Sequence, residues 1–162
     1  MRRGCAPPPP GGGGGKDLNE TSLATSGSRQ LVGEVWIDNW FTLWVNGEKL
    51  IEDSVPITTE RSFNAERFTF NADPPYTFAF EFRDFMENET GLEYIGTGRQ
   101  QMGDGGAIAQ FTDAQSGKTV AVTDGNWRCL VVQHAPTGGD ACARSRDPQP
   151  GAGDCAAETT AI

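Results

Sequence analysis

In the segment YTFAFEFRDF (76–85), phenylalanine recurs at every second position, as Phe78, Phe80 and Phe82. Thr77, Ala79, Glu81 and Arg83 fill the places between them. A period of two sorts these sets onto opposite faces of a β-strand, whereas an α-helix would scatter them around its axis. The same period runs through LVGEVWI (31–37), WFTLWVN (40–46), ERFTFNA (66–72), AIAQFTD (107–113) and KTVAVTD (118–124). NWRCLVV (126–132) is a further strand candidate. Asn46-Gly47 is a hairpin signal, because both central residues of a type I′ turn need positive φ, and EKLIE (48–52) returns from it. Asp73-Pro74-Pro75 breaks any helix between two of these strands. Only RDFMENET (83–90) has the composition of a short helical turn.

Many short strands, polar turns and no long amphipathic segment predict an all-β protein, an antiparallel sandwich or barrel. Phe63, Phe68, Phe70, Phe78, Phe80, Phe82 and Phe111 are enough to build a shared core. The chain ends differ from this middle. Residues 1–30 are low in complexity, with four consecutive prolines and then five glycines, and are expected to be a disordered tail. Residues 137–162 are rich in Gly, Ala, Pro and Asp and read as a flexible, Cys-containing tail or linker. The expected folded domain is 31–136.

The chain has 162 residues, enough for one real core, and a net charge of −9. That charge argues against nucleic acid and against docking on anionic lipid. It permits calcium, which takes clustered oxygens, with Asp38 and Asp124 as the first candidate ligands and Asp53 and Asp113 as further ones. No apolar run approaches the roughly 20 residues of a membrane span. The start of the chain has two arginines but no apolar run, so it does not read as a secretory signal. Either the protein is intracellular, or this sequence is a piece of something exported. Asn19 and Asn88 head N-glycosylation acceptors that matter only in the second case.

The four cysteines are Cys5, Cys129, Cys142 and Cys155. None forms a CxxC pair and His134 is the sole histidine, which argues against structural zinc. A Cys129–Cys142 disulfide would hold the tail to the last strand; the alternative is free thiols.

The run WFTLWVNGEKL, a Phe-rich strand pair and the late VTDGNWRC together resemble galactose-binding-like jelly-roll modules. Val45-Asn46-Gly47, Phe68-Thr69-Phe70, Thr77–Phe82 and Thr123-Asp124-Gly125-Asn126-Trp127 carry the likeness, over about residues 34–133. It departs at Asp73-Pro74-Pro75, where many relatives have a Gly-x-Asn turn. The resemblance implies an antiparallel jelly-roll β-sandwich of the kind found beside catalytic domains in exported multidomain proteins. Function in that family ranges from sugar binding to structural support.

Trp40 and Trp44 share one face of their strand, opposite Phe41, Leu43 and Val45. They are either a second packed face or a platform for a sugar ring, with packing favoured for Trp40 and both readings open for Trp44. Trp127 is expected to plug one end of the sandwich. The long connection with Tyr94, Arg99 and Asp104 in RQQMGDGG is the first place for a ligand, with Asp84 beside it. The expected binding set is therefore Trp44, Asp84, Tyr94, Arg99 and Asp104. No carboxylate pair, nucleophile elbow or phosphate loop points to catalysis. The expectation is a non-catalytic module for carbohydrate or another polar ligand, with a structural spacer contacting neighbouring domains as the alternative.

Overall fold

The computed structural model describes residues 20–23, 25–59, 63–103 and 105–161. Among them are twelve strands and almost no helix. The strands are β1 (Glu20–Ser22), β2 (Arg29–Asp38), β3 (Trp40–Val45), β4 (Glu48–Glu52), β5 (Asn64–Ala72) and β6 (Phe78–Arg83), then β7 (Leu92–Glu93), β8 (Gln101–Met102), β9 (Gly106–Asp113), β10 (Thr119–Val122), β11 (Gln133–His134) and β12 (Glu158–Thr159). The one α-helical turn is α1 (Asp140–Ala143). The chain divides into two compact units: Met1–Arg83 with Gly105–Trp127, and Asp84–Asp104 with Arg128–Ile162.

The first unit is a β-sandwich. One sheet has the order β1-β5-β2-β9-β10, the other β4-β3-β6. Every pairing is antiparallel except β1 with β5. The inward-facing residues of both sheets form one core, which includes Leu31, Val35, Phe41, Leu43, Phe68, Phe70 and Phe111, with Phe78 and Phe80 packed against it. Phe111 of the larger sheet stacks on Phe78 of the smaller one, with ring centroids 3.9 Å apart and planes 9° apart. It also lies edge-on to Phe70 at 6.3 Å. Gly33 sits opposite both Phe68 and Phe111 in the register. A Cβ there would fall 2.5 Å from the Phe68 ring, so the missing side chain is what lets that ring lie across the strand.

The Asn46-Gly47 turn has positive φ at both residues, 53° and 88°, as the hairpin signal requires. The turn places Trp44 opposite Lys49, and a register shift between Leu43 and Trp44 then sets Leu43 opposite Ile51. The Asn46 side chain also braces the β5–β6 connection: Nδ2 donates to the Asp73 carbonyl at 3.2 Å, and Oδ1 accepts from the Thr77 amide at 2.8 Å. Asp73 in turn accepts from the Ser28 hydroxyl at 2.5 Å and the Ser28 amide at 2.9 Å. Those two bonds favour the carboxylate and hold its pKa below the ordinary value.

The second unit is smaller. β7 pairs with β8 and β11 with β12. Its core cluster is Leu92, Cys142 and Cys155, with Ile95 and Ala143 against them. Cys142 and Cys155 are joined by a disulfide, and Gly153–Cys155 is a 3-10 turn.

Five expectations are corrected. The disulfide joins Cys142 to Cys155, not to Cys129, and Cys129 is itself disulfide-bonded. The described part of the expected 137–162 tail, residues 137–161, is a folded, cross-linked segment rather than a flexible one. In the expected 1–30 tail, residues 1–19 and 24 lie outside the described residues, but β1 and the start of β2 fall within it. Strand pairing uses main-chain groups, so a polar sequence can join a sheet edge. Finally, 126–132 forms no strand. The chain turns at Asp124, and the apolar run Leu130-Val131-Val132 stays exposed, with the Val132 carbonyl accepting from the Thr160 amide at 2.7 Å. The short helical turn expected at 83–90 is absent as well, replaced by bends and turns after β6.

Three outcomes follow from these contacts. Phe111→Ala is expected to lower unfolding free energy by about 3–5 kcal/mol in chemical denaturation, because it removes a ring shared by both sheets. Replacing Cys142 and Cys155 by serine should cost the second unit about 3 kcal/mol. Hydrogen exchange would then quicken across β7, β8, β11 and β12 while the amides of β2 and β9 stay protected; equal protection everywhere would rule out that dependence. For Asp73, the lowered folded pKa means its contribution is present above the unfolded pKa and is lost as pH falls through the folded one. Acid unfolding curves below about pH 4 should therefore be shallower for Asp73→Asn than for the parent chain.

Candidate functional site

Strand alternation gives the three-stranded sheet two unlike faces. Phe41, Leu43 and Val45 of β3 enter the core. Trp40, Thr42 and Trp44 take the other face. The register puts Arg83 opposite Trp40, Glu81 opposite Thr42 and Ala79 opposite Trp44 on one side. On the other side Lys49 stands opposite Trp44 and Glu52 opposite Thr42.

The two indoles differ. Trp40 is 8% exposed, and the Arg83 guanidinium lies over its ring, 5.1 Å from the centroid. It is a packed support. Trp44 is only half-buried, beside an exposed Ala79 that leaves room next to the ring. Two ion pairs share this face, one on each neighbouring strand. Lys49 Nζ lies 2.5 Å from Glu52 Oε2. Arg83 Nη2 lies 2.6 Å from Glu81 Oε1, and its Nε donates to the same oxygen at 2.7 Å. All four of these side chains are about half exposed. An apolar ring face bordered by exposed donors and acceptors can hold a ligand that has both C–H and hydroxyl surface.

The other expected binding residues lie in the second unit. Asp84 is exposed, and its carboxylate packs against the backbone of Gly103, where a Cβ would collide with it. Tyr94 is half-buried and adopts φ 52°, a left-handed conformation uncommon for a bulky residue. Its amide donates to Glu87 Oε1 at 2.9 Å, and its carbonyl accepts from the Thr97 hydroxyl at 2.7 Å. Arg99 is exposed on the same turn, its amide donating to Thr97 Oγ1 at 3.1 Å. Gln100 ties that turn to the cross-linked segment, donating from Nε2 to the carbonyls of Ala143 and Ser145 at 2.9 and 2.8 Å. Asp104 lies outside the described residues.

The expected calcium ligands have local roles. Asp38 Oδ1 accepts from Asn39 Nδ2. Asp124 accepts from the Asn126 amide at 2.8 Å and from its Nδ2 at 3.1 Å, which closes a turn. Asp113 accepts from the Ser116 amide and hydroxyl, which lowers its pKa. Among the described residues there is no group of three or more His, Cys, Asp or Glu that could hold a metal ion. Trp127 packs its ring 5.9 Å from Phe80, and its indole N–H donates to the Val122 carbonyl at 2.9 Å.

Two features escaped the sequence reading. A buried polar group brings Asn39, Asp53 and Asn64 together: Asn64 Nδ2 donates to the Asn39 carbonyl at 2.8 Å and to Asp53 Oδ2 at 3.4 Å. No spacing in the sequence marks it, because its members come from three strand ends. The polar neighbours of Trp44 were also missed, yet the Asn46-Gly47 turn and the alternation of 77–83 together imply Lys49 and Ala79 beside it. Among the described residues no helix is long and apolar enough to cross a membrane. Comparison with protein families, with curated proteins and with solved structures gives no match.

Proposed function

We propose that this chain carries a non-catalytic, galactose-binding-like jelly-roll module that binds carbohydrate on the outer face of the β4-β3-β6 sheet. The observation that carries this reading is the half-buried Trp44 between two exposed ion pairs on the face away from the core. The chain's path supports the jelly-roll subtype: from β2 it crosses to β3 and β4, returns to β5, crosses to β6 and comes back to β9 and β10. The disulfide at Cys142–Cys155 and the bonded Cys129 favour an oxidising compartment, and so an exported protein. Tyr94 and Arg99 offer a second contact region, since a bulky residue held at positive φ often marks a functional turn.

A second reading has its own observation. Leu130 and Val131 are 61% and 62% exposed and adjoin Val132, an apolar run that suits contact with a neighbouring domain. In that case the module is a spacer.

Native gel electrophoresis of the whole chain through a panel of soluble polysaccharides separates the two readings. Retardation by at least one polymer, weakened about thirtyfold by Trp44→Ala, is the expected result; that factor corresponds to a hot spot of about 2 kcal/mol. Unchanged retardation in the variant would remove Trp44 from the site.

A further inference from the structure

We infer that the Trp44 face takes a neutral polymer chain and discriminates against anionic ones; the inference rests on the carbohydrate-binding reading above. Its two cations are already neutralised. Lys49 is bonded to Glu52, and Arg83 is bonded twice to Glu81 while its guanidinium lies over Trp40. A uronate, sulfate or phosphate group reaching either cation would have to displace a carboxylate or sit beside it, and like charges at contact repel. The whole chain, at −9, adds a field of the same sign that salt screens only beyond about 8 Å. A hydroxyl meets no such conflict, because it donates to the carboxylate and accepts from the guanidinium or ammonium of the same pair. Exposed ion pairs of this kind contribute little to stability, so they open readily to admit it.

The spacing of the face implies a chain rather than one sugar. Glu81 and Arg83 stand opposite Thr42 and Trp40, two and four residues along β3 from Trp44. At about 3.3 Å per residue, that separates the ring from the polar groups by roughly 7 to 13 Å. A ligand that touches Trp44 and the Glu81–Arg83 pair together is longer than one pyranose ring.

The test uses the full chain in native gels holding matched pairs of polymers: cellulose, dextran, mannan, xylan and galactan backbones, each as a neutral soluble form and as its carboxymethylated or sulfated derivative. The expected result is retardation by at least one neutral polymer, with affinity at least tenfold lower for its charged derivative. Glu52→Gln with Glu81→Gln, which frees both cations, should narrow that gap. A derivative bound as tightly as its neutral parent, or more tightly, overturns the charge argument and leaves carbohydrate binding standing. Equal affinity for a monosaccharide and the polymer overturns the chain argument in the same way. Retardation by none of the polymers overturns the carbohydrate reading and this inference together.

Discussion

The sandwich depends on phenylalanines that meet across its two sheets. Phe111 is the pivot: it stacks on Phe78 at 3.9 Å, lies edge-on to Phe70 and stands 6.2 Å from Phe80. Rings of this size each bury a large apolar area, and burying one fully stabilises the fold by about 1.5–3 kcal/mol. Because the inner faces are occupied in this way, other side chains are left to the outer faces, where Trp40 and Thr42 are buried and Trp44 is half-buried. Trp44 is on such a face because Leu43 and Val45 are not. The residues that build the core and those that build the candidate site are therefore fixed by one alternation.

The second unit follows a different logic. Its described core is Leu92, Ile95 and Ala143 around the Cys142–Cys155 pair. The Cys142–Cys155 link lowers the entropy of the unfolded chain and so adds to what this apolar packing contributes. The turn bearing Tyr94 and Arg99 inherits its order through Gln100, which is bonded to the carbonyls of Ala143 and Ser145.

Most sandwich strands were legible because their signals are local. Phe78, Phe80 and Phe82 share a face through spacing alone, and Asn46-Gly47 announces its own turn. The run 126–132 shows the limit of such signals. Its β-branched and apolar residues fit a strand, but a strand exists only with a neighbour to pair with, and Leu130 and Val131 remain exposed. The polar β1 shows the converse, pairing with β5 through backbone groups that no composition reveals. The candidate site was half legible: Trp44 stood out, while Asp84, Tyr94 and Arg99 fell into the other unit.

What the sequence by itself determined is the all-β class, the hairpin at Asn46-Gly47 and which side chains share a face. These depend on residues within a few positions of one another. Only the tertiary structure decided that β2 lies between β5 and β9, that Cys142 bonds Cys155, that Trp40 is packed and Trp44 half-open, and that Lys49, Glu52, Glu81 and Arg83 border it. Each of those outcomes turns on which distant segments meet. Periodicity sets the face a side chain takes, but long-range pairing sets the neighbour it finds there.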